Sequence, residues 1–121
     1  MKKILLFERY EGVRFIVERS LKKYQEGIEI NSIHDIEGVK RKIENSDIDL
    51  LITELSKLNA DGLEISRYAR KQHPEMKIIW ITVLGCYEFS EQMKALGIYK
   101  CLEKPLEIDK FRADILNVLD F

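Results

Sequence analysis

The sequence predicts an α/β fold of five βα units, with a parallel sheet covered by helices on both faces. Short apolar runs alternate with amphipathic segments along the 121 residues. Three of the runs are nearly continuous in Ile, Leu, Val, Phe or Trp, which is typical of strands buried on both sides. Repeated strand–helix units imply right-handed crossovers and a doubly wound sheet. The length fits a single domain over residues 1–121.

The predicted strands are the apolar runs themselves, at Lys3–Phe7, Ile28–Asn31, Asp49–Thr53, Lys77–Thr82 and Tyr99–Leu102. Two helix ends carry local signals. Gly27 follows the first amphipathic segment and is expected to end that helix in the left-handed conformation. Asp61, with Glu64 three positions on, resembles a capping box, so we expect Asp61 to cap the third helix and not to act as a catalyst.

Composition excludes several function classes. Lys and Arg number 20 and Asp and Glu 21, so the chain lacks the basic footprint of a nucleic-acid binder. The first apolar run stops at Glu8, too short for a signal peptide or a membrane span. Cys86 and Cys101 have neither CxxC spacing nor a histidine partner. We expect them to be reduced and buried, without a metal or redox role, which suits a cytoplasmic protein.

Polar side chains cluster at the predicted strand ends. Glu8 and Arg9 follow the first strand, Glu54 the third, Thr82 ends the fourth, and Lys104 follows the fifth. In open parallel sheets, chemistry lies beyond the carboxyl ends of the strands. We therefore expect two carboxylates, a guanidinium, a hydroxyl and an ammonium to meet in one pocket.

Three segments make a family resemblance. Asp47–Glu54 with Asn59–Glu64 resembles the third strand, acceptor loop and third helix of the receiver domain of bacterial two-component response regulators. Ile79–Thr82 resembles its fourth strand, and Leu102–Leu106 its fifth strand with the Lys-Pro pair. The resemblance covers almost the whole chain in register. It implies the flavodoxin-like receiver fold with strand order 2-1-3-4-5, and a role in phosphorelay signal transduction.

The departures from the family pattern concern its phosphoacceptor and its metal site. In the family, an Asp at the position of Glu54 accepts phosphate, and acidic residues at the positions of Glu8 and Arg9 bind Mg²⁺ with a backbone carbonyl, here that of Ser56. Glu54 is one methylene longer, which moves its carboxylate by roughly 1.5 Å. Arg9 brings a permanent positive charge, worth ~4 kcal/mol at about 4 Å and an effective dielectric of ~20. We therefore expect the Mg²⁺ site to be lost and no cofactor to bind.

Smaller departures point the same way. Thr82 and Lys104 match the signalling hydroxyl and lysine of the family. Cys101 stands where an aromatic switch residue is usual, Val83 where a small residue is usual, and Leu58 where a proline is usual. The expected site thus keeps the outline of a receiver pocket and lacks its metal ligands and its aromatic switch.

Two residues keep open alternatives. Glu54 is either a built-in phosphate mimic paired with Lys104 or a relic whose carboxylate only neutralises Lys104 and Arg9. Arg9 is either an internal counter-ion for Glu54 or Glu8 or a solvated residue at the start of a helix. Whether Thr82 and Lys104 still signal is also open.

The function expected from this pattern is that of an atypical receiver, a pseudo-receiver, which regulates through protein–protein interaction without phosphorylation. Its partner would be a protein, with no direct contact to nucleic acid or membrane. The family's usual output face consists of the fourth helix, fifth strand and fifth helix. On that face the sequence offers charged and aromatic side chains, namely Tyr87, Glu88, Glu91, Lys94, Lys100, Lys110 and Asp114.

Two other functions are less favoured. One is a phosphoacceptor receiver of a two-component phosphorelay, cut from a larger transcriptional regulator, with Glu54 or another group accepting phosphate. The other is a small enzyme using the Glu8 and Glu54 carboxylates, but no cofactor loop or nucleophile–base pair accompanies them, so we expect no enzymatic activity. The partner, the pathway, the oligomeric state and any output domain after Phe121 are not encoded in these residues.

Overall fold

A computed structural model describes residues 1–57 and 60–121 of the chain. Five parallel strands form one sheet in the order β2-β1-β3-β4-β5. The predicted fold class and strand order are therefore confirmed. The strands are β1 (Lys2–Phe7), β2 (Ile28–Ser32), β3 (Leu50–Leu55), β4 (Lys77–Thr82) and β5 (Lys100–Glu103).

Helices connect the strands and cover both faces of the sheet. Two of the connections also contain a turn of 3-10 helix, at Lys22–Tyr24 and Cys86–Phe89. The α-helices are α1 (Glu11–Leu21), α2 (Ile36–Asn45), α3 (Asp61–Gln72), α4 (Ser90–Leu96) and α5 (Ile108–Val118). None of the helices in the described part of the chain has the length and apolarity needed to span a bilayer.

The sheet separates two hydrophobic cores, because alternate residues of each strand point to opposite faces. On one face Leu6 and Ile52 pack with α1 and α5, through residues such as Val17 and Phe111. On the other face the core contains Trp80 and residues of α2 and α3. Continuous burial along β1 and β3 explains why these runs lack the polar alternation of a one-sided sheet.

The third helix begins at Asp61, as the sequence indicates, but the roles predicted for Gly27 and Asp61 at helix ends are wrong. Gly27 has no positive φ; the left-handed glycine is Gly97, which ends α4 at φ 61°. Gly27 instead lies against Phe121, where an added Cβ would be 2.5 Å from the ring. Asp61 does not cap α3, because Ala60 occupies the cap position and Asp61 is the first helical residue. Its carboxylate instead contacts Arg9.

Candidate functional site

The candidate site lies at the carboxyl edge of the sheet, where the predicted residues come together. Glu8 follows β1, Glu54 is the second-last residue of β3, Thr82 ends β4, and Lys104 follows β5. Glu8 and Thr82 are fully buried, and Glu54 is 7% exposed. Parallel strands end at the same edge of a sheet, so four distant segments deliver polar groups to one small volume.

Lys104 is the central cation of the site. Its Nζ lies 2.8 Å from Glu8 Oε1 and 3.8 Å from Glu54 Oε2. The closer contact is an ion pair without hydrogen-bond geometry, since among the described residues Oε1 has no directed donor. The other Glu8 oxygen accepts from the Tyr10 backbone N–H at 3.0 Å. Lys104 therefore compensates a carboxylate that has no access to water.

Arg9 is the second cation and lies at the mouth of the site. Its Nε is 3.3 Å from Glu54 Oε1, and a terminal nitrogen of the same guanidinium contacts Asp61 Oδ2. The side chain of Arg9 is 39% exposed and that of Glu54 is 8% exposed. Arg9 thus bridges the end of β3 to the first turn of α3, with one face toward solvent.

Glu54 is poised to exchange a proton near neutral pH. Burial, then a hydrogen bond and the charge of neighbouring Glu8, raise the pKa of Glu54 from 4.5 to about 7. The positive charges of Lys104 and Arg9 lower this pKa and do not cancel the rise. Two carboxylates and two cations therefore share the site, with one carboxylate partly protonated at physiological pH.

Thr82 is hydrogen-bonded to the backbone on both sides of the site. Its Oγ1 accepts from the backbone N–H of Leu84 at 3.1 Å, and its carbonyl accepts from the backbone N–H of Lys104 at 2.8 Å. The second contact extends the pairing of β4 with β5 up to the site. Val83, by contrast, is 68% exposed beside the loop.

The prediction that Cys86 and Cys101 are reduced and buried is wrong. Cys86, at the start of the 3-10 turn, is joined to Cys101 in β5 by a disulfide, with 5.9 Å between the Cα atoms. Both residues are partly exposed. The crossover after β4 brings the turn over the neighbouring strand, and a spacing of 15 residues gives no local sign of this. The position matched to the aromatic switch is therefore one half of a covalent link.

A chain of buried hydrogen bonds links Trp80 in β4 to the first turn of α3, beside the backbone of Glu54. Trp80 Nε1 donates to Ser66 Oγ at 2.9 Å, and Ser66 Oγ donates to the Gly62 carbonyl at 2.8 Å. Gly62 lies so close to β3 that an added Cβ would be 2.0 Å from the carbonyl oxygen of Glu54. Glycine at this position therefore allows α3 to start directly against the strand that carries Glu54.

Two residues of the site were missed by the sequence interpretation. Arg14 Nη1 donates to the carbonyls of Glu8 and Arg9, both at 2.7 Å, and so fixes the loop between β1 and α1. The ring of Tyr10 lies with its centroid 4.8 Å from Lys104 Nζ. The spacing of Tyr10 two residues after Glu8 permits the backbone contact, but the ring's proximity to Lys104 depends on the fold.

Within residues 1–57 and 60–121, no group of three or more His, Cys, Asp or Glu side chains is arranged to hold a metal ion. Glu8, Glu54 and Asp61 lie around the site, but Arg9 and Lys104 stand between them. Leu58, expected to replace a family proline, lies outside the described residues.

A comparison with protein-family models decides the family. Residues 4–116 match the model of the response regulator receiver domain. The chain belongs to this family. The predicted resemblance is thereby confirmed, and the chain is a receiver domain of two-component signalling, a class of signalling module whose members interact with partner proteins such as kinases and effectors.

Curated relatives and solved structures agree with this assignment. The response regulator receiver protein CpdR of Brucella abortus is 25% identical over 99% of this chain and 95% of CpdR. The response regulator protein PilR of Pseudomonas aeruginosa is 20% identical over 98% of the chain, which spans 26% of PilR. A response regulator from Thermotoga maritima has the same fold, with a TM-score of 0.86 and 13% identity over 100% of this chain and 99% of that one.

Proposed function

We propose that this receiver domain is a pseudo-receiver, which regulates a protein partner without being phosphorylated. The observation that carries the proposal is the internal pairing of charges in the pocket. Arg9 contacts Glu54 and Asp61, and Lys104 lies 2.8 Å from Glu8 and 3.8 Å from Glu54. The groups that a receiver needs for Mg²⁺ and phosphate thus already neutralise one another.

The donor set does not fit Mg²⁺. A hard divalent cation needs several oxygen ligands in near-octahedral geometry. Here a guanidinium stands between Glu54 and Asp61, and Glu8 is committed to the ammonium of Lys104. A cation at Glu8, Glu54 and the Ser56 carbonyl would have to enter beside Arg9. Mutual repulsion and the loss of two ion pairs both oppose its binding.

Glu54 is also a poor phosphate acceptor. A carboxyl group attacks phosphorus only as the carboxylate, and burial and Glu8 raise the pKa of Glu54 to about 7. A large fraction of the group is therefore protonated near neutral pH. Its carboxylate form is held by Arg9 at 3.3 Å. Both effects lower its nucleophilicity.

The distances favour one interpretation of Glu54 over the other. A phosphate mimic would draw Lys104 to itself, but Lys104 Nζ is 2.8 Å from Glu8 and 3.8 Å from Glu54. We therefore propose that Glu54 is a buried counter-charge for Arg9 and Lys104. Among the described residues, both pocket carboxylates, Glu8 and Glu54, are paired with cations, so we expect no enzymatic activity.

The surface formed by α4, β5 and α5 is proposed as the partner-binding face. Tyr87, in the 3-10 turn before α4, is 78% exposed, and Tyr99, which immediately precedes β5, is 43% exposed. Lys100 and Asp114 form an ion pair of 2.8 Å across β5 and α5. Exposed aromatic side chains beside charged pairs suit a protein interface.

The test is incubation with Mg²⁺ and either acetyl phosphate or beryllofluoride, followed by intact mass and a two-dimensional amide spectrum. We expect no adduct and no Mg²⁺-dependent shifts in the wild type. The double variant Arg9→Asp/Glu54→Asp should gain Mg²⁺-dependent shifts in the pocket. The matched control is Arg41→Asp/Glu44→Asp, which makes the same changes on the exposed side of α2. An adduct on Glu54, or shifts spreading across α4 and β5 of the wild type, would overturn the proposal in favour of a phosphoacceptor receiver.

A further inference from the structure

We propose that Cys86 and Cys101 form a reversible redox site. Thiol–disulfide exchange at this site would decide whether the segment from Cys86 to Leu96 is covalently tied to β5. The segment contains the 3-10 turn and α4. The proposal concerns a chemical input separate from the acidic pocket, and it stands whether or not Glu54 accepts phosphate.

The fold places the two cysteines on adjoining elements at a separation that is normal for a disulfide. Cys101 pairs with Trp80 in the β4–β5 ladder, and Cys86 begins the turn after β4, so the sheet fixes one partner and the crossover the other. The Cα atoms are 5.9 Å apart. Disulfides usually have Cα separations of about 4.4–6.8 Å. The same backbone can therefore hold either two adjacent thiols or one disulfide.

The bond is accessible to exchange. β5 is the last strand of the sheet and has a neighbour only on the β4 side among the described strands. Cys86 and Cys101 are both partly exposed. Exchange requires a thiolate to reach a disulfide sulfur, so an exposed bond at a sheet edge reacts where one in the core does not.

The disulfide ties the N-terminal end of the segment that contains the 3-10 turn and α4 to β5. No residue of α4 is fully buried. The C-terminal end of α4 is held by Arg70, which donates from Nε to the Leu96 carbonyl at 2.7 Å and from Nη2 to the Gly97 carbonyl at 3.2 Å.

At the N-terminal end, Phe89 is the only buried side chain of residues 86–90; it is 6% exposed and belongs to the core that contains Trp80. Among the described residues, the Cys86 N–H donates to Glu103 Oε2 at 3.3 Å, Lys57 pairs with Glu88, and Phe89 packs edge-on against Trp80. The Lys57 side chain is 61% exposed, and exposed ion pairs contribute little. Reduction should therefore loosen the Cys86 end of the segment and leave the Arg70 end in place.

The exchange chemistry balances with a small disulfide as oxidant. One cysteine thiolate attacks oxidised glutathione, which forms a mixed disulfide and releases one glutathione thiol. The second cysteine attacks the protein sulfur of that mixed disulfide and releases the second thiol. Two electrons and two protons pass from the protein to the oxidant, and a dithiol such as dithiothreitol reverses both steps.

The experiment equilibrates the intact chain in glutathione buffers of graded ratio. Alkylation and intact mass then give the oxidised fraction, and hydrogen exchange gives local protection. We expect one two-electron transition, with unchanged far-UV circular dichroism. Amide exchange at residues 86–90 should be on the order of tenfold faster in the reduced form, while α3 and residues 95–97 stay unchanged. The variant Cys86→Ser/Cys101→Ser should exchange like the reduced wild type in every buffer.

Three outcomes would overturn the proposal. The thiols remain unpaired across the whole buffer series, the wild type unfolds when reduced, or exchange at residues 86–90 is the same in both states. If the double-serine variant fails to fold, the comparison of oxidised and reduced wild type still decides. A Glu54→Gln chain should show the same transition, since the acidic pocket takes no part.

Discussion

Arg9 and Glu54 form an ion pair at the mouth of the pocket, with Arg9 Nε 3.3 Å from Glu54 Oε1. The pair joins a half-exposed cation to a carboxylate that has almost no access to water. The positive charge that neutralises Glu54 at the mouth of the pocket is therefore that of Arg9, a residue of the chain itself.

Stability should depend on pH through Glu54. Folding raises the pKa of Glu54 from 4.5 to about 7, so between these values the folded state binds more protons than the unfolded state. The contribution of Glu54 is complete below pH 4.5 and is lost as the pH rises through 7. We expect its share of the unfolding free energy to fall by about 2–3 kcal/mol between about pH 5 and about pH 8.

Urea unfolding at both pH values measures this, with Glu54→Gln as the test. The variant should flatten the pH dependence, whereas Glu64→Gln, on the exposed side of α3, should leave it unchanged. Equal pH dependence in the wild type and Glu54→Gln would show that Glu54 does not titrate in this range.

Removing Lys104 should be costly because it leaves Glu8 buried and uncompensated. Glu8 is fully buried, and Lys104 Nζ lies 2.8 Å from its carboxylate. We expect Lys104→Met to destabilise the fold by about 3–5 kcal/mol. Adding Glu8→Gln should recover part of the loss, and the double-mutant cycle should give a coupling of about 1–3 kcal/mol.

Denaturant unfolding of the four chains provides the cycle. Lys100→Met is the matched control, since its pair with Asp114 is 42% exposed on the lysine side and should cost less than about 1 kcal/mol. Strictly additive losses for Lys104 and Glu8 would argue that the two residues do not interact.

Gly62 should not tolerate alanine. A Cβ at this position would lie 2.0 Å from the Glu54 carbonyl oxygen, which belongs to the backbone of a central strand and cannot move aside. We expect Gly62→Ala to destabilise by about 1–3 kcal/mol or more. Gly12→Ala in α1 meets nothing within 4 Å and should stabilise by up to about 1 kcal/mol. Thermal unfolding of both variants gives the comparison, and a neutral Gly62→Ala would contradict the close approach.

Ser66→Ala should expose the role of the buried polar chain. The substitution leaves the Trp80 indole N–H without its acceptor at 2.9 Å, which should cost about 1–3 kcal/mol. Trp80 is the single tryptophan, so its emission should also shift. Ser20→Ala is the control, because the Ser20 hydroxyl donates to the Val17 carbonyl within its own helix and has no other hydrogen bond among the described residues. Unchanged emission and stability in Ser66→Ala would mean that another group satisfies the indole.

The fold and the meeting of the pocket residues could be predicted because both depend on strand order. Apolar runs mark the strands, and parallel strands place Glu8, Glu54 and Lys104 at one edge. Features that depend on contacts between distant residues could not be predicted. Asp61 carries a local capping signal, but Arg9, 52 residues away, takes its carboxylate. Gly27 carries a helix-end signal, but the ring of Phe121 determines its environment.

The disulfide between Cys86 and Cys101 also depends on a contact between distant residues that the sequence did not reveal. Sequence patterns identify redox pairs by short spacing, whereas Cys86 and Cys101 meet through a crossover between neighbouring strands. The alternation of helix and strand was enough to predict that crossover. It was not enough to place one residue of the turn opposite one residue of β5.

The position of Arg9 between the carboxylates of Glu54 and Asp61 has an evolutionary consequence. Replacing Arg9 by Asp as a single step would remove the cation that contacts Glu54 and Asp61 and would add a further carboxylate beside Glu54. Lys104, which contacts Glu8 and Glu54, would then face a more negative pocket. Like charges so close together oppose folding unless a metal ion is already bound. Glu54→Asp as a first step keeps every charge and is far milder. A change of this pocket toward metal binding is therefore constrained in the order of its substitutions, with Glu54 replaced before Arg9.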